Sequence, residues 1–206
     1  MWGLVQDGSI TKIINQPKGM VIGGTQYSRN IFSFRWSNEE REAIGIYEIV
    51  WDNAKKKDEA YYNNTNQTFT YDADAGTVTA TYGDATAKAH ADANATDDDG
   101  NDLDPVVVIE GLKTKLIRTV KAQAAGILQD TDWYIVRKAD ADTDVPSAIT
   151  TFRAAVRTKA AAMETLITNA SNTPAIETLY TYVNTADEGD PVVMERPLGE
   201  FPVLGS

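Results

Sequence analysis

The residues best suited to chemistry in this chain are carboxylates, and they are concentrated. Between Asp92 and Asp104, six of thirteen positions are Asp. The heart of that run, Asp97-Asp98-Asp99-Gly100-Asn101-Asp102-Leu103-Asp104, has the composition of a calcium loop. Such a loop needs an oxygen ligand at its first position, glycine at its sixth and a bidentate glutamate at its twelfth. Setting Gly100 as the sixth makes Ala95 the first and Val106 the twelfth, and neither can ligate. The run therefore reads as a solvated loop. Paired carboxylates could instead hydrolyse a glycosidic bond. Here the acids fall in loops and helix starts, with no aromatic-lined stretch to hold a sugar. No hydrolase is expected.

Other chemistry is thinner. Cysteine is absent, which removes disulfides, thiolate metal sites and thiol catalysis. His90 is the single histidine and lies in an Ala-rich polar run, where it reads as an exposed side chain. Gly19, Gly23 and Gly24 lack the strand, helix and Lys-Ser/Thr of a phosphate loop, so they read as turns. Lys55, Lys56 and Lys57 read as a solvated loop. No catalytic residue, cofactor or metal is expected. The net charge of −11 repels phosphate backbones, so no nucleic-acid partner is expected. No apolar run reaches about 18 residues, so no membrane span is expected. The opening MWGLVQDGSI lacks the basic-then-apolar order of a signal peptide.

What remains is Thr131-Asp132-Trp133-Tyr134, lying between two helical segments. A cap at Asp132 or Thr131 would start the segment that follows. Trp133 is expected to plug the corner between the helices, where full burial is worth about 3 kcal/mol. The other reading is an exposed anchor for a partner.

The elements around this step follow from periodicity. Apolar residues on either side of Asp7-Gly8 predict a hairpin, because both turn positions tolerate φ > 0. Met20 to Ile22 predicts a third strand, and Ile31 to Trp36 a fourth, half-buried one. Ser37 and Glu40 have capping-box spacing, and Gly45 can close that short helix. Ile46 to Trp51 reads as a strand. Residues 55–66 read as a polar loop anchored by Tyr61 or Tyr62. Thr68 to Tyr71 and Thr77 to Tyr82 predict a hairpin rich in β-formers.

Residues 1–83 are thus expected to form a small antiparallel β domain with one short helix. Residues 84–104, rich in Ala and Asp, read as a linker. Residues 105–206 read as a helical domain with an extended tail. Asp104 and Pro105 are placed to start its first helix. Its stripe is Ile109, Leu112, Leu116, Val120, Ala124 and Ile127. Pro146 opens a second helix striped by Ile149, Phe152, Val156, Ala160, Met163 and Ile167. Two such helices fold back as an antiparallel pair. Asn172-Thr173-Pro174 starts a shorter third helix, running to about Val183. The tail's Leu198, Phe201, Val203 and Leu204 are expected to pack on something. The fold class is α+β: an antiparallel β domain, then a helical hairpin or three-helix module.

Arg118, the step Leu128-Gln129-Asp130-Thr131-Asp132-Trp133, Pro146, and Phe152-Arg153-Ala154-Ala155-Val156-Arg157 together form a pattern of about 40 residues. It resembles the C-terminal helical module of phage tail-fibre assembly chaperone-like proteins and related tail proteins. That family carries Tyr-Arg-x-x-Leu-Arg; here Phe152 replaces the tyrosine and Val156 the leucine. Lys121-Ala122-Gln123 stands where the family has an Arg-Asn run. The opening Trp2-Gly3-Leu4-Val5, the block FSFRWSNEEREAIGIYEI around Trp36, and the closing ERPLGEFP are similar to segments of tail-associated phage virion proteins. The resemblance implies a non-enzymatic virion protein of the tail, baseplate or tail-fibre attachment region. It also implies other tail or tail-fibre proteins as partners, a homo-oligomer within the particle, and passage through the host cytoplasm during assembly. Two other roles fit less of the pattern: an assembly chaperone that leaves the particle, and a glycan-degrading tail enzyme. The interaction residues it points to are Asp132, Trp133, Phe152, Arg153, Val156, Arg157 and Trp36.

Overall fold

Asp7 and Gly8 take φ of 51° and 74°. Both central positions of the turn between β1 (Trp2–Gln6) and β2 (Ser9–Ile14) are therefore left-handed, as a tight two-residue hairpin requires. The computed structural model describes residues 1–64 and 67–205. It is a mixed α+β chain that divides into two compact units, Met1–Thr86 and Ala87–Ser206.

In the first unit, β3 (Met20–Ile22) and β4 (Thr25–Tyr27) form a second small hairpin. The strand expected over Ile31 to Trp36 is absent. Residues Arg29–Phe32 form a 3₁₀ turn, capped by the Ser28 hydroxyl. The carbonyls a strand would need are taken by one guanidinium. Arg41 Nη1 donates to the carbonyls of Ile31 (3.3 Å), Ser33 (3.4 Å) and Trp36 (2.8 Å). Arg41 sits on α1 (Asn38–Glu42), which begins with the expected reciprocal cap. Glu40 N–H donates to Ser37 Oγ at 3.2 Å and Ser37 N–H to Glu40 Oε2 at 2.8 Å. Gly45 follows with φ +83°, and a Cβ there would collide with the Val5 carbonyl.

Next come β5 (Ile46–Asp52), β6 (Tyr62–Asn63), β7 (Thr68–Asp72) and β8 (Thr77–Thr81). The expected loop over 55–66 contains β6 and ends at positions 65 and 66, which lie outside the described residues. The main sheet has the order β2-β1-β5-β8-β7. It is not wholly antiparallel: β8 runs parallel to β5, with Ile49 beside Val78 and Asp52 beside Thr81. One edge of β5 is already paired with β1, and the long connection from 53 to 76 permits a crossover to the other edge. The sheet curls, bringing β2 near β7. One cluster buries Leu4, Ile14, Met20, Ile22, Ile31 and Ile46; another buries Val5, Ile49, Val78 and Ala80. Beside the second cluster the Tyr47 and Tyr71 hydroxyls are 3.1 Å apart. That hydrogen bond, and then burial, push the Tyr47 phenol up to about 12.

β9 (Thr86–Ala87) lies at the division. In the second unit, β10 (Ala93–Asn94) pairs with β11 (Val108–Ile109) across the acidic run. Asp97 organises the loop: its Oδ1 accepts from the N–H groups of Asp99 (3.0 Å) and Asn101 (2.9 Å). The stretch read as a linker is thus part of a hairpin. Consequently the first long helix starts later than expected. α2 spans Leu112–Gln129, and Ile109 of the predicted stripe is exposed on β11. Its cap comes from upstream: Asp92 accepts from Gly111 N–H and the Thr114 hydroxyl, both at 2.8 Å. The Ala89 and His90 carbonyls take the N–H groups of Leu112 and Lys113. Only glycine fits at 111, because a Cβ would strike the backbone of Ala91.

Among the described residues of this unit four helices form, one more than expected. They are α2, α3 (Asp132–Ala141), α4 (Ser147–Asn169) and α5 (Thr173–Tyr180). Val120 and Ala124 of α2 meet Val156, Ala160, Met163 and Ile167 of α4 in one core. Asn172 caps α5, accepting from Ala175 N–H at 2.9 Å. α5 ends at Tyr180, short of Val183, where β12 (Val183–Asn184) pairs with β13 (Met194–Glu195). Of the apolar tail residues, Leu198 is buried and Phe201 half-buried, while Val203 and Leu204 stay exposed.

Candidate functional site

The Leu128–Trp133 step is an elbow between α2 and α3, and a residue of α4 holds it. Arg153 is only 6% exposed. Its Nη1 donates to the Leu128 carbonyl at 2.8 Å and to Thr131 Oγ1 at 2.7 Å. Its Nη2 meets Asp132 Oδ1 at 2.8 Å. Thr131 in turn donates its hydroxyl to the Leu128 carbonyl at 2.9 Å. A helix end leaves carbonyls without intrahelical partners. Arg153 supplies one of them with a charged donor and joins the end of α2, the start of α3 and the body of α4.

The residues singled out from the sequence separate into three groups. Asp132, Arg153, Val156 and Phe152 belong to the elbow or its floor, with Val156 fully buried and Phe152 packed beside it. Trp133 does not plug the corner; it is 51% exposed. The guanidinium of Arg153 already fills that volume, and an indole could not satisfy the carbonyl and hydroxyl it serves. Arg157 faces solvent on α4. Trp36 belongs to the first unit, where it meets Tyr27 edge-on at 6.2 Å.

α3 buries none of its residues. Trp133 lies 3.9 Å from Tyr134 between ring centroids, and the Arg137 guanidinium sits 4.7 Å over the indole. Ile135 and Val136 are also exposed. At the far end of α3, the ammonium of its own Lys138 meets two exposed carboxylates, Asp142 at 2.7 Å and Asp144 at 2.8 Å. These two carboxylates raise the Lys138 pKa, and Lys138 lowers that of Asp144. The exposed face of α3 could have been suspected from spacing, because its apolar residues at 133, 135 and 136 form no continuous stripe.

Beside the elbow is a groove of about 370 Å³, with Ile127, Thr131 and Phe152 on one side and Phe201 to Leu204 on the other. Asp130 also lines it, and the Thr131 hydroxyl is committed as donor and as acceptor. Among the described residues no group of three or more His, Asp or Glu is placed to hold a metal. None of the described helices is long and apolar enough to cross a membrane. No protein-family model, curated protein or solved structure matches the chain.

Proposed function

We propose that this chain is a non-enzymatic structural component of a phage tail, baseplate or tail-fibre attachment region, working by docking to neighbouring proteins. The observation that carries the docking half is α3. A helix with an exposed Trp stacked beside a half-buried Tyr and Arg, none of them in the core cluster, has the composition of an interface hot spot. Its start is nonetheless pinned, by Arg153 from α4. A pre-positioned surface loses little entropy on binding.

The virion half rests on the resemblance carried by Leu128 to Trp133 and Phe152 to Arg157. In this reading the helical hairpin of α2 and α4, with α5 and the tail, is the module that presents α3 to other tail or tail-fibre proteins. Copies of the chain are arranged around the particle's symmetry axis. The protein passes through the host cytoplasm during assembly and ends in the tail.

Mass spectrometry of purified particles tests this. The protein is expected among the tail components, cross-linked to neighbours through α3. Presence in infected cells but absence from particles would replace the reading with that of an assembly chaperone. Hydrolysis of host polysaccharide, abolished by changing one Asp, would replace it with that of an enzyme.

A further inference from the structure

Four consecutive apolar residues of the second unit stand in water: Val106, Val107, Val108 and Ile109 are 60%, 49%, 54% and 57% exposed. Runs of this kind are unusual on a folded surface unless something covers them. Their backbone is also half-used. Among the described residues β11 pairs only with β10, Asn94 beside Val108 and Ala93 beside Ile109. Ala95 N–H extends the ladder to the Val107 carbonyl at 2.7 Å. In an antiparallel pair alternate residues aim their N–H and C=O groups away from the partner strand, so the other edge of β11 offers a row of such groups.

We propose that this edge of β11 pairs antiparallel with the same edge of a second copy of the chain. Three observations select that occupant. First, a two-fold axis makes the contact self-complementary: with the axis at Val108, whose N–H and C=O point away from β10, that valine faces itself in the second copy and Val107 faces Ile109. Second, the charges on the two flanks fit this direction. Asp102 and Asp104 precede the strand, and Lys115, in the first turn of α2, follows it, Lys113 being turned to the Thr168 carbonyl on α4. An antiparallel pairing brings the acidic flank of each copy to the basic flank of the other. A parallel one would set Asp102 and Asp104 against themselves. Glu110, the acid on the basic side, is engaged by Arg118. Third, the assembly closes. The outer strand, β10, carries Ala93 and Asn94 between Asp92 and Asp97, a polar edge that does not invite further strands. The product is a four-stranded sheet shared by two copies.

The contact is small. Four side chains per copy fall short of the roughly 800 Å² per partner of a standard interface, so dimerisation is concentration-dependent in solution. It strengthens where a particle holds copies side by side. This inference rests on the homo-oligomer part of the reading above and adds the surface that makes it.

The absence of cysteine makes the test direct, because one substitution introduces the sole thiol. Val107→Cys is expected to give a covalent dimer with a short bis-maleimide linker at least tenfold faster than Val193→Cys, placed on the other exposed valine stretch. Light scattering of the full chain is expected to move from 22.5 kDa towards twice that mass as concentration rises. Val108→Lys is expected to stay monomeric with an unchanged thermal melt. Equal linking rates for the two cysteine variants, a monomer at every concentration, or a Val108→Lys dimer as tight as the native one would each overturn the proposal. A β11 dimer of a protein missing from particles would keep the edge and remove the virion role. A particle protein whose Val107→Cys variant fails to link would keep the role and remove the edge.

Discussion

Helices α3 and α4 are neighbours in sequence and opposites in use. α4 buries six residues, five of them apolar and on one stripe; α3 buries none, although it carries a tryptophan, an isoleucine and a valine. Apolar content alone does not separate them. Spacing does: 149, 156, 160, 163 and 167 fall on one face, whereas 133, 135 and 136 do not form one. The contrast teaches that one helix makes the fold and the other is carried by it. Arg153 is where the two meet, a residue of the first kind of helix fixing the start of the second.

Four experiments can break or sharpen that contrast. The largest effect is expected from Met163→Ala, which empties a site only 1% exposed between α2 and α4. It should cost about 2–5 kcal/mol, read from urea unfolding of the helical signal. Arg153→Met should come next. It leaves the Leu128 carbonyl and the Thr131 hydroxyl without their charged donor, for a loss of about 2 kcal/mol. Arg153→Lys should not restore this, because an ammonium lacks the planar fork that reaches three acceptors.

A smaller effect, lost in acid, is expected at Asp92. The Gly111 N–H, then the Thr114 hydroxyl, hold its pKa below the ordinary 3.8. The carboxylate's contribution is therefore complete above that value and lost as pH falls through the lowered one. Melting curves of Asp92→Asn and the native chain should converge at low pH and diverge above it. Trp133→Ala should do least to the fold, within about 0.5 kcal/mol, while abolishing partner capture. If it destabilised the protein as Arg153→Met does, α3 would be core and the contrast would fall.

Where sequence and structure agree, the determinant is local. The Asp7-Gly8 turn, the Ser37–Glu40 cap, the Asn172 cap and the α4 stripe each depend on residues within a few positions, or on a repeat along one helix. Where they part, the determinant comes from a distance. α2 begins at Leu112 because Asp92 caps it and the chain at Ala91 crosses it, contacts no window around Pro105 contains. Residues 31–36 leave the strand path because Arg41, on the next element, takes their carbonyls. Trp133 is exposed because an arginine twenty residues later occupies the corner expected for it. Of the candidate site, the position of the elbow was legible. Which side chain filled the corner was not, since a buried guanidinium is recognised only once its acceptors are in place.

The parallel pairing of β5 with β8 also orders events in time. β1, β2 and β5 can associate as soon as residue 52 has left the ribosome, because each pairs antiparallel with a neighbour already made. The outer edge of β5 must then wait. Its partner lies some 25 residues further on and, being joined to β7 by a tight turn, arrives as a finished hairpin rather than a single strand. Closing so long a loop is slow compared with forming the hairpin itself. Until it closes, the nascent sheet shows the bare edge of Ile49, Val50 and Trp51, and that interval is when the young chain is most open to pairing with the wrong strand.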